Sequence, residues 1–207
     1  MFQNAYGKHS ILTRMARPKE FDPGDAMREA MEAFWQRGYH ATSVTDLLCE
    51  MKLNRGSLYG TFGDKKKLFL AALAEYEKQG REAVRAALER PGSARKALDE
   101  WVSDAAKSCT GEAGLRGCLA LKAAMEMAPQ DEDVAQWVRD ITHDRELLVA
   151  KTIRRGQAEG EINEQLDPRV LARFLISVLA GLRVMGTASP SERDLRGVVE
   201  LTLRAMD

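Results

Sequence analysis

The chain has little cysteine, little histidine, no excess charge of either sign and no long apolar run, and each shortage removes a class of answer. Its three cysteines, Cys49, Cys109 and Cys118, are too few and too odd in number for a disulfide-stapled secreted scaffold. None belongs to a CxxC pair, so a reducing, cytoplasmic setting is expected. His9, His40 and His143 are scattered without partners at ligand spacing, and neither a metal site nor a cofactor is expected. No stretch of about 18 apolar residues spans a membrane, and the amino terminus lacks the apolar segment of a secretion signal. Cys118 with His143 is the only nucleophile and base that can be nominated. No orienting acid or oxyanion hole accompanies them, so no catalytic residue is expected and the chain does not read as an enzyme.

The balance of 31 basic and 31 acidic residues argues against an architectural DNA binder with a basic body. Distribution says more than the sum. Up to Lys67 there are 11 basic and 8 acidic residues, which leaves 20 basic against 23 acidic beyond it, a front that leans positive and a back that leans negative. A hydrophobic share of 44% suffices for a core. No alternating strand pattern competes with the helical one, so the fold class expected is all-α.

Residues 1–21 read as an N-terminal arm: Met1 to Arg14 show no helical period, and Met15-Ala16-Arg17-Pro18-Lys19 offers a second start. Asp22-Pro23-Gly24-Asp25 then supplies a cap, a proline at the first helical position and an acid at the positive helix end. Met27, Ala30, Met31 and Phe34 form one apolar stripe that stops at Gly38. Ser43 caps a second helix with Asp46 reaching back, while Val44, Leu47, Leu48 and Met51 face inward and Cys49 joins the core. Asn54 caps a third helix, in which Leu58 and Phe62 are buried and Arg55, Ser57, Tyr59 and Thr61 point elsewhere. Gly63 ends it, and Asp64 caps a long helix from Lys65 to about Arg90, broken at Pro91-Gly92. Helices follow at Ala94 to about Cys109, Leu115 to Ala128, Asp131 to about Glu159, from Asp167-Pro168, and from Ser189-Pro190-Ser191-Glu192 with Glu192 as the capping-box acid.

Two very short helices joined by a tight turn and followed by a basic helix start form a helix-turn-helix. Arg55 suits a base edge, because its fork pairs with guanine O6 and N7, a contact that contributes about 1–3 kcal/mol of discrimination. Gly56 allows close backbone approach, and Ser57, Tyr59 and Thr61 offer hydroxyls to bases or phosphates. Thr42 and Ser43 at the second helix's positive end, with Lys65 and Lys66 at the fourth helix's start, suit phosphates.

Residues 22–72 resemble the TetR/AcrR family of bacterial transcriptional regulators, through Ala33-Phe34, Gly38-Tyr39, Ala41-Thr42-Ser43-Val44, Asp46-Leu47 and Arg55-Gly56-Ser57-Leu58-Tyr59 with Phe62, Lys65 and Leu68. Gly60-Thr61 departs from the bulky residue and histidine common there, which bears on operator sequence rather than docking. The resemblance implies a helix-turn-helix DNA-binding domain at 22–67 and a helical regulatory and dimerisation domain at 68–207. It also implies a repressor, released from a palindromic operator by a small-molecule inducer. Apolar stripes on 168–185 (Leu171, Phe174, Leu175, Val178, Leu179, Leu182) and 190–206 (Leu195, Val198, Val199, Thr202) would pair with a second copy into a four-helix bundle. Trp101, Leu121, Met125, Trp137, Ile141 and Phe174 are the large apolar candidates for lining the inducer site. As an alternative, Cys109 and Cys118 flank the loop-like 110–114 and could form a redox or electrophile sensor, Cys118 near a helix start and close to Arg116.

Overall fold

Local capping sets where the first helices begin in the computed structural model, which describes residues 21–188 and 191–207. The Asp22 carboxylate accepts hydrogen bonds from the Gly24 and Asp25 amides and opens α1 (Pro23–Ala41). Ser43 and Asp46 form a reciprocal capping box on α2 (Val44–Glu50). Asn54 caps α3 (Arg55–Phe62), and Asp64 caps α4 (Lys65–Leu88), each accepting an amide at 2.8 Å. Such caps contribute about 1 kcal/mol apiece. The break expected at Gly38 lies inside α1: its φ of 81° carries the chain out of helical geometry, and the last residues re-form a turn beyond it. The arm expected before Phe21 lies outside the described residues.

The remaining helices are α5 (Ala94–Lys107), α6 (Gly111–Arg116), α7 (Leu119–Glu126), α8 (Glu132–Ala158), α9 (Pro168–Gly186) and α10 (Glu192–Arg204). No strand occurs among the described residues. Three sequence expectations need correction. The loop expected at 110–114 is mostly the short helix α6, and the helix expected at 115–128 is interrupted by Gly117 (φ 70°), so that α6 and α7 are separate. The capping-box acid of α10 is Asp194, paired with Ser191, rather than Glu192. Ser189 and Pro190, expected to cap that helix, lie outside the described residues.

Two apolar cores hold the helices together. The first joins Ala30, Phe34, Leu47, Leu58, Leu68, Phe69 and Leu73 of α1–α4, and is completed by Leu119 and Ala123 of α7, Met127 just after it and Val134 of α8. Phe34 meets Phe69 edge to face at 4.9 Å between centroids. Full burial of each such side chain contributes about 1.5–3 kcal/mol. The second core gathers Leu98, Val102, Val149, Ile153, Leu175 and Leu182 among α5, α8 and α9, with Leu195 and Met206 at either end of the α10 segment. α4 runs unbroken through residues 67 and 68 and contributes Leu68, Phe69, Ala72 and Leu73 to the first core and Leu88 to the second.

α1 and α7 are pinned to each other by polar groups at both ends of α7. The Glu126 carboxylate accepts the Tyr39 and His40 amides at 2.8 and 3.3 Å, just beyond the break at Gly38. The Lys122 ammonium donates to the Trp35 and Gln36 carbonyls at 2.6 and 3.1 Å, and the Trp35 indole donates to the Gly117 carbonyl at 2.9 Å. A Cβ at position 38 would collide with Glu126 Oε1. Gly38→Ala should therefore combine a positive-φ strain with loss of this clamp and lower the unfolding free energy by about 2–4 kcal/mol. In the same denaturant titration Gly60→Ala, helical and with nothing within 4 Å of its new Cβ, should be neutral or stabilising by up to about 1 kcal/mol.

Candidate nucleic-acid interface and regulatory cleft

α3 packs onto the first core with Leu58 fully buried and Phe62 on the same core, so its opposite face is turned to solvent. Arg55, Gly56, Tyr59 and Gly60 are exposed, and Ser57 and Thr61 are half-buried beside them. Among the described residues no hydrogen bond or ion pair holds the Arg55 guanidinium, and Tyr59 is 43% exposed with its ring in no aromatic stack. Gly60 puts no side chain on this face, and an added Cβ there would meet nothing within 4 Å.

The residues expected to hold phosphates are placed less uniformly. Ser43 is exposed at the amino end of α2, where Asp46 occupies its hydroxyl and amide. Thr42 is wholly buried, and its hydroxyl donates to the Gly38 carbonyl at 2.6 Å, so it serves the fold and is not presented outward. Lys65 lies over the Tyr39 ring at 4.2 Å, and burial there pulls its titration downward. Lys66 is ion-paired with Asp131 and Asp133 at 2.8 and 2.7 Å. Hydrogen bonding to those acids raises its pKa, and the same contact depresses that of Asp131. Cys49, expected in the core, is exposed on α2.

Behind the head, α4, α5 and α9 leave a cleft of about 450 Å3. Gly80, Ala83 and Ala87 on α4 make it hollow, and Trp35, Tyr76 and Trp101 wall it. Trp35 is held in place by its bond to Gly117, an edge-to-face contact with Tyr76 at 4.8 Å and the Arg116 guanidinium 3.5 Å from its ring centroid. Of the six candidates for lining an inducer site, Trp101 alone lines this cleft. Leu121, Trp137 and Ile141 pack together with Cys118 and Tyr76 in a small adjoining cluster. Met125, 71% exposed, and Phe174, 41% exposed, face outward instead of into a pocket: each lies on the side of its helix opposite the core. Trp35, Tyr76 and Arg183 escaped the sequence reading, although the small residues at 80, 83 and 87 on one face of a long helix were a signal of a hollow.

The two thiols differ. Cys109 is buried, its Sγ donates to the Ala105 carbonyl at 3.2 Å, and burial pushes its pKa up, which opposes the thiolate a sensor needs. Cys118 stands at the cap position of α7, and the Tyr76 hydroxyl donates to its Sγ at 3.4 Å. Desolvation, followed by the nearby Cys118, raises the pKa of Tyr76 strongly, so this phenol stays a proton donor. Among the described residues no cluster of three or more metal-ligating side chains occurs.

Residues 26–72 match the family model described as bacterial regulatory proteins, tetR family, and residues 92–200 match that of the tetracyclin repressor-like C-terminal domain. The chain is 30% identical over 194 residues to the uncharacterized HTH-type transcriptional regulator YezE of Bacillus subtilis (strain 168), covering 93% of this chain and 100% of YezE. It is 30% identical over 189 residues to the HTH-type transcriptional repressor ComR of Escherichia coli (strain K12), covering 91% and 90%. A solved structure of a cysteine mutant of the TetR family transcriptional regulator CifR, complexed with 26-bp double-strand operator DNA, is similar with a TM-score of 0.83 and 34% identity, covering 93% of this chain and 100% of that one.

Burial separates two positions that look alike in sequence. Thr42→Val removes a buried hydrogen bond and should cost about 1–2 kcal/mol of stability, whereas Arg55→Ala should change stability by less than about 0.5 kcal/mol. Thermal melts that rank the two the other way would overturn this placement.

Proposed function

The chain belongs to the TetR family of bacterial transcriptional regulators, and from that premise we propose a homodimeric repressor that reads a palindromic operator with α3 and releases it when a small molecule enters the cleft beside Trp35. The reading rests above all on the outward face of α3, where Arg55 is presented without a partner among the described residues, on a helix capped and buried from behind. Arg55, Gly56, Ser57, Tyr59 and Thr61 would meet base edges, and Ser43 with the amino end of α2 would meet a phosphate. Lys65 would add to that grip at the start of α4. Lys66 would join it only by giving up Asp131 and Asp133, and Thr42 drops out as a contact. The reading head is assigned to 22–67 and the regulatory and dimerisation body to 68–207, with the border inside α4. A cytoplasmic location follows from the DNA target.

Dimerisation is proposed through the outer faces of α9 and α10. Val170, Phe174, Val184 and Met185 on α9 and Leu201 on α10 are exposed although large and apolar, and a symmetry-related copy would cover them. Two copies would present two α3 helices to adjacent major-groove turns. Release is a population shift, in which the occupied cleft favours head positions that no longer match the two half-sites. Trp35 supports this, since it walls the cleft and is itself part of α1.

A second reading, thiol sensing, is favoured by one observation: Cys118 stands at the first position before the helix whose far end holds α1, and Tyr76 from the cleft wall bonds to its sulfur. Oxidation or alkylation there would push on Tyr76 and on the start of α7. Cys109 would be a bystander. Operator binding measured before and after mild peroxide should fall in the natural protein and stay unchanged in Cys118→Ser; equal loss in both rules the thiol out.

In competition assays against operator variants, Arg55→Ala should lose about 1–3 kcal/mol of discrimination at one base pair of each half-site. Phe174→Asp, on the exposed outer face of α9, should yield monomers with weakened operator binding. Unchanged selectivity in the first, or monomeric natural protein by light scattering, would overturn the corresponding assignment.

A further inference from the structure

The cleft walled by Trp35, Tyr76 and Trp101 also contains a charge that nothing among the described residues answers. Arg183 projects from α9 into the lining, is half-buried, and has no hydrogen bond or ion pair among the described residues. The other charged group on the lining, Asp104, is exposed and held by Lys107 at 2.9 Å, so it does not neutralise Arg183. Gln79, also on the lining, is tied to Glu75 at 2.9 Å. Arg145 lies near enough to influence Tyr76, yet its guanidinium is bonded to Glu77 at 2.9 Å. The Arg183 charge, by contrast, reaches both Tyr76 and Cys109, easing the deprotonation of each against the burial that resists it.

A half-buried guanidinium without a partner is open to a ligand, and its planar fork matches a carboxylate in two parallel hydrogen bonds. The rest of the lining is apolar and flat: two indoles and a phenol over a floor of Gly80, Ala83 and Ala87. A volume of about 450 Å3 lies within the range of sites for small organic molecules. We propose that the cleft binds an amphipathic monocarboxylate, its carboxylate on Arg183 and its apolar body between Trp35, Tyr76 and Trp101. This assignment rests on the cleft being the regulatory site, but its chemistry can be tested without DNA.

The experiment is calorimetric titration of the full-length protein with benzoate, 2-naphthoate and octanoate, each beside its neutral amide. At least one acid should bind about 10-fold or more tighter than its amide, the scale of a charge-assisted hydrogen bond. Arg183→Gln, checked for an unchanged melt and oligomeric state, should bring acid and amide within about 2-fold of each other, while Arg183→Lys should keep part of the preference. If all three amides match their acids in the natural protein, or if Arg183→Gln retains the preference, the proposal is overturned, and the comparison in the natural protein holds whether or not the variants fold. Operator binding is then measured with the preferred acid. An acid that binds through Arg183 without loosening the operator upholds this site and removes the inducer reading of the cleft.

Discussion

The break in α1 at Gly38 leaves backbone groups that α7 must satisfy, and the arrangement of the reading head follows from that requirement. Beyond the break, the Tyr39 and His40 amides point away from any helical acceptor and are met by one carboxylate, Glu126. Before it, the Trp35 and Gln36 carbonyls are met by Lys122. Leaving such groups unpaired against the aromatic core of Phe34, Tyr39 and Phe69 would cost about 1–3 kcal/mol each. Because both charged residues come from one eight-residue helix, and because Trp35 holds the carbonyl of Gly117 just ahead of that helix, α7 cannot shift along its axis without disturbing α1. The left-handed backbone at Gly38 also turns its carbonyl toward Thr42, which is how the chain enters α2 in the orientation that the Ser43 cap then fixes.

This junction changes how a regulatory signal reaches DNA. The first core includes α7 and the start of α8, so the head is not a separate ball on a hinge at residue 67. Trp35 belongs to α1 and walls the cleft, and Tyr76 belongs to α4 and touches both the cleft and Cys118. A molecule in the cleft would therefore press directly on a helix of the head, and no long relay of side chains is required. Lys66 with Asp131 and Asp133 adds a second tie, from the start of α4 to the start of α8.

Features set by neighbouring residues were legible in the sequence. Asp22, Ser43, Asn54 and Asp64 cap the helices they were expected to cap, since a cap needs only a short polar side chain and the next two or three amides. Gly38 and Gly63 mark breaks for the equally local reason of positive φ. What depends on distant partners was not legible. Thr42 reads as an exposed hydroxyl until the carbonyl of Gly38 is seen to take it, and Lys66 reads as a free ammonium until a helix 65 residues later brings two carboxylates to it. Met125 has the size of a pocket residue but occupies the outer side of α7, and Arg183 sits inside an apolar stripe whose handedness alone decides that it faces the cleft.

The bonds that join α1 to α7 differ in kind from those of Lys66, which tie the start of α4 to the start of α8. Glu126 and Lys122 bind uncharged amides and carbonyls at short range in partly buried positions, whereas Lys66 binds two carboxylates near the surface, where mobile ions compete. Contacts between a basic protein surface and phosphates belong to the second kind, because each displaces counterions from the duplex. Rising ionic strength thus loosens the hold on DNA and the Lys66 tie at the start of α4 while leaving the junction between cleft and head in register. The affinity of the protein for its operator can drift with the salt content of the cell, and the mechanical connection that would regulate it does not drift with it.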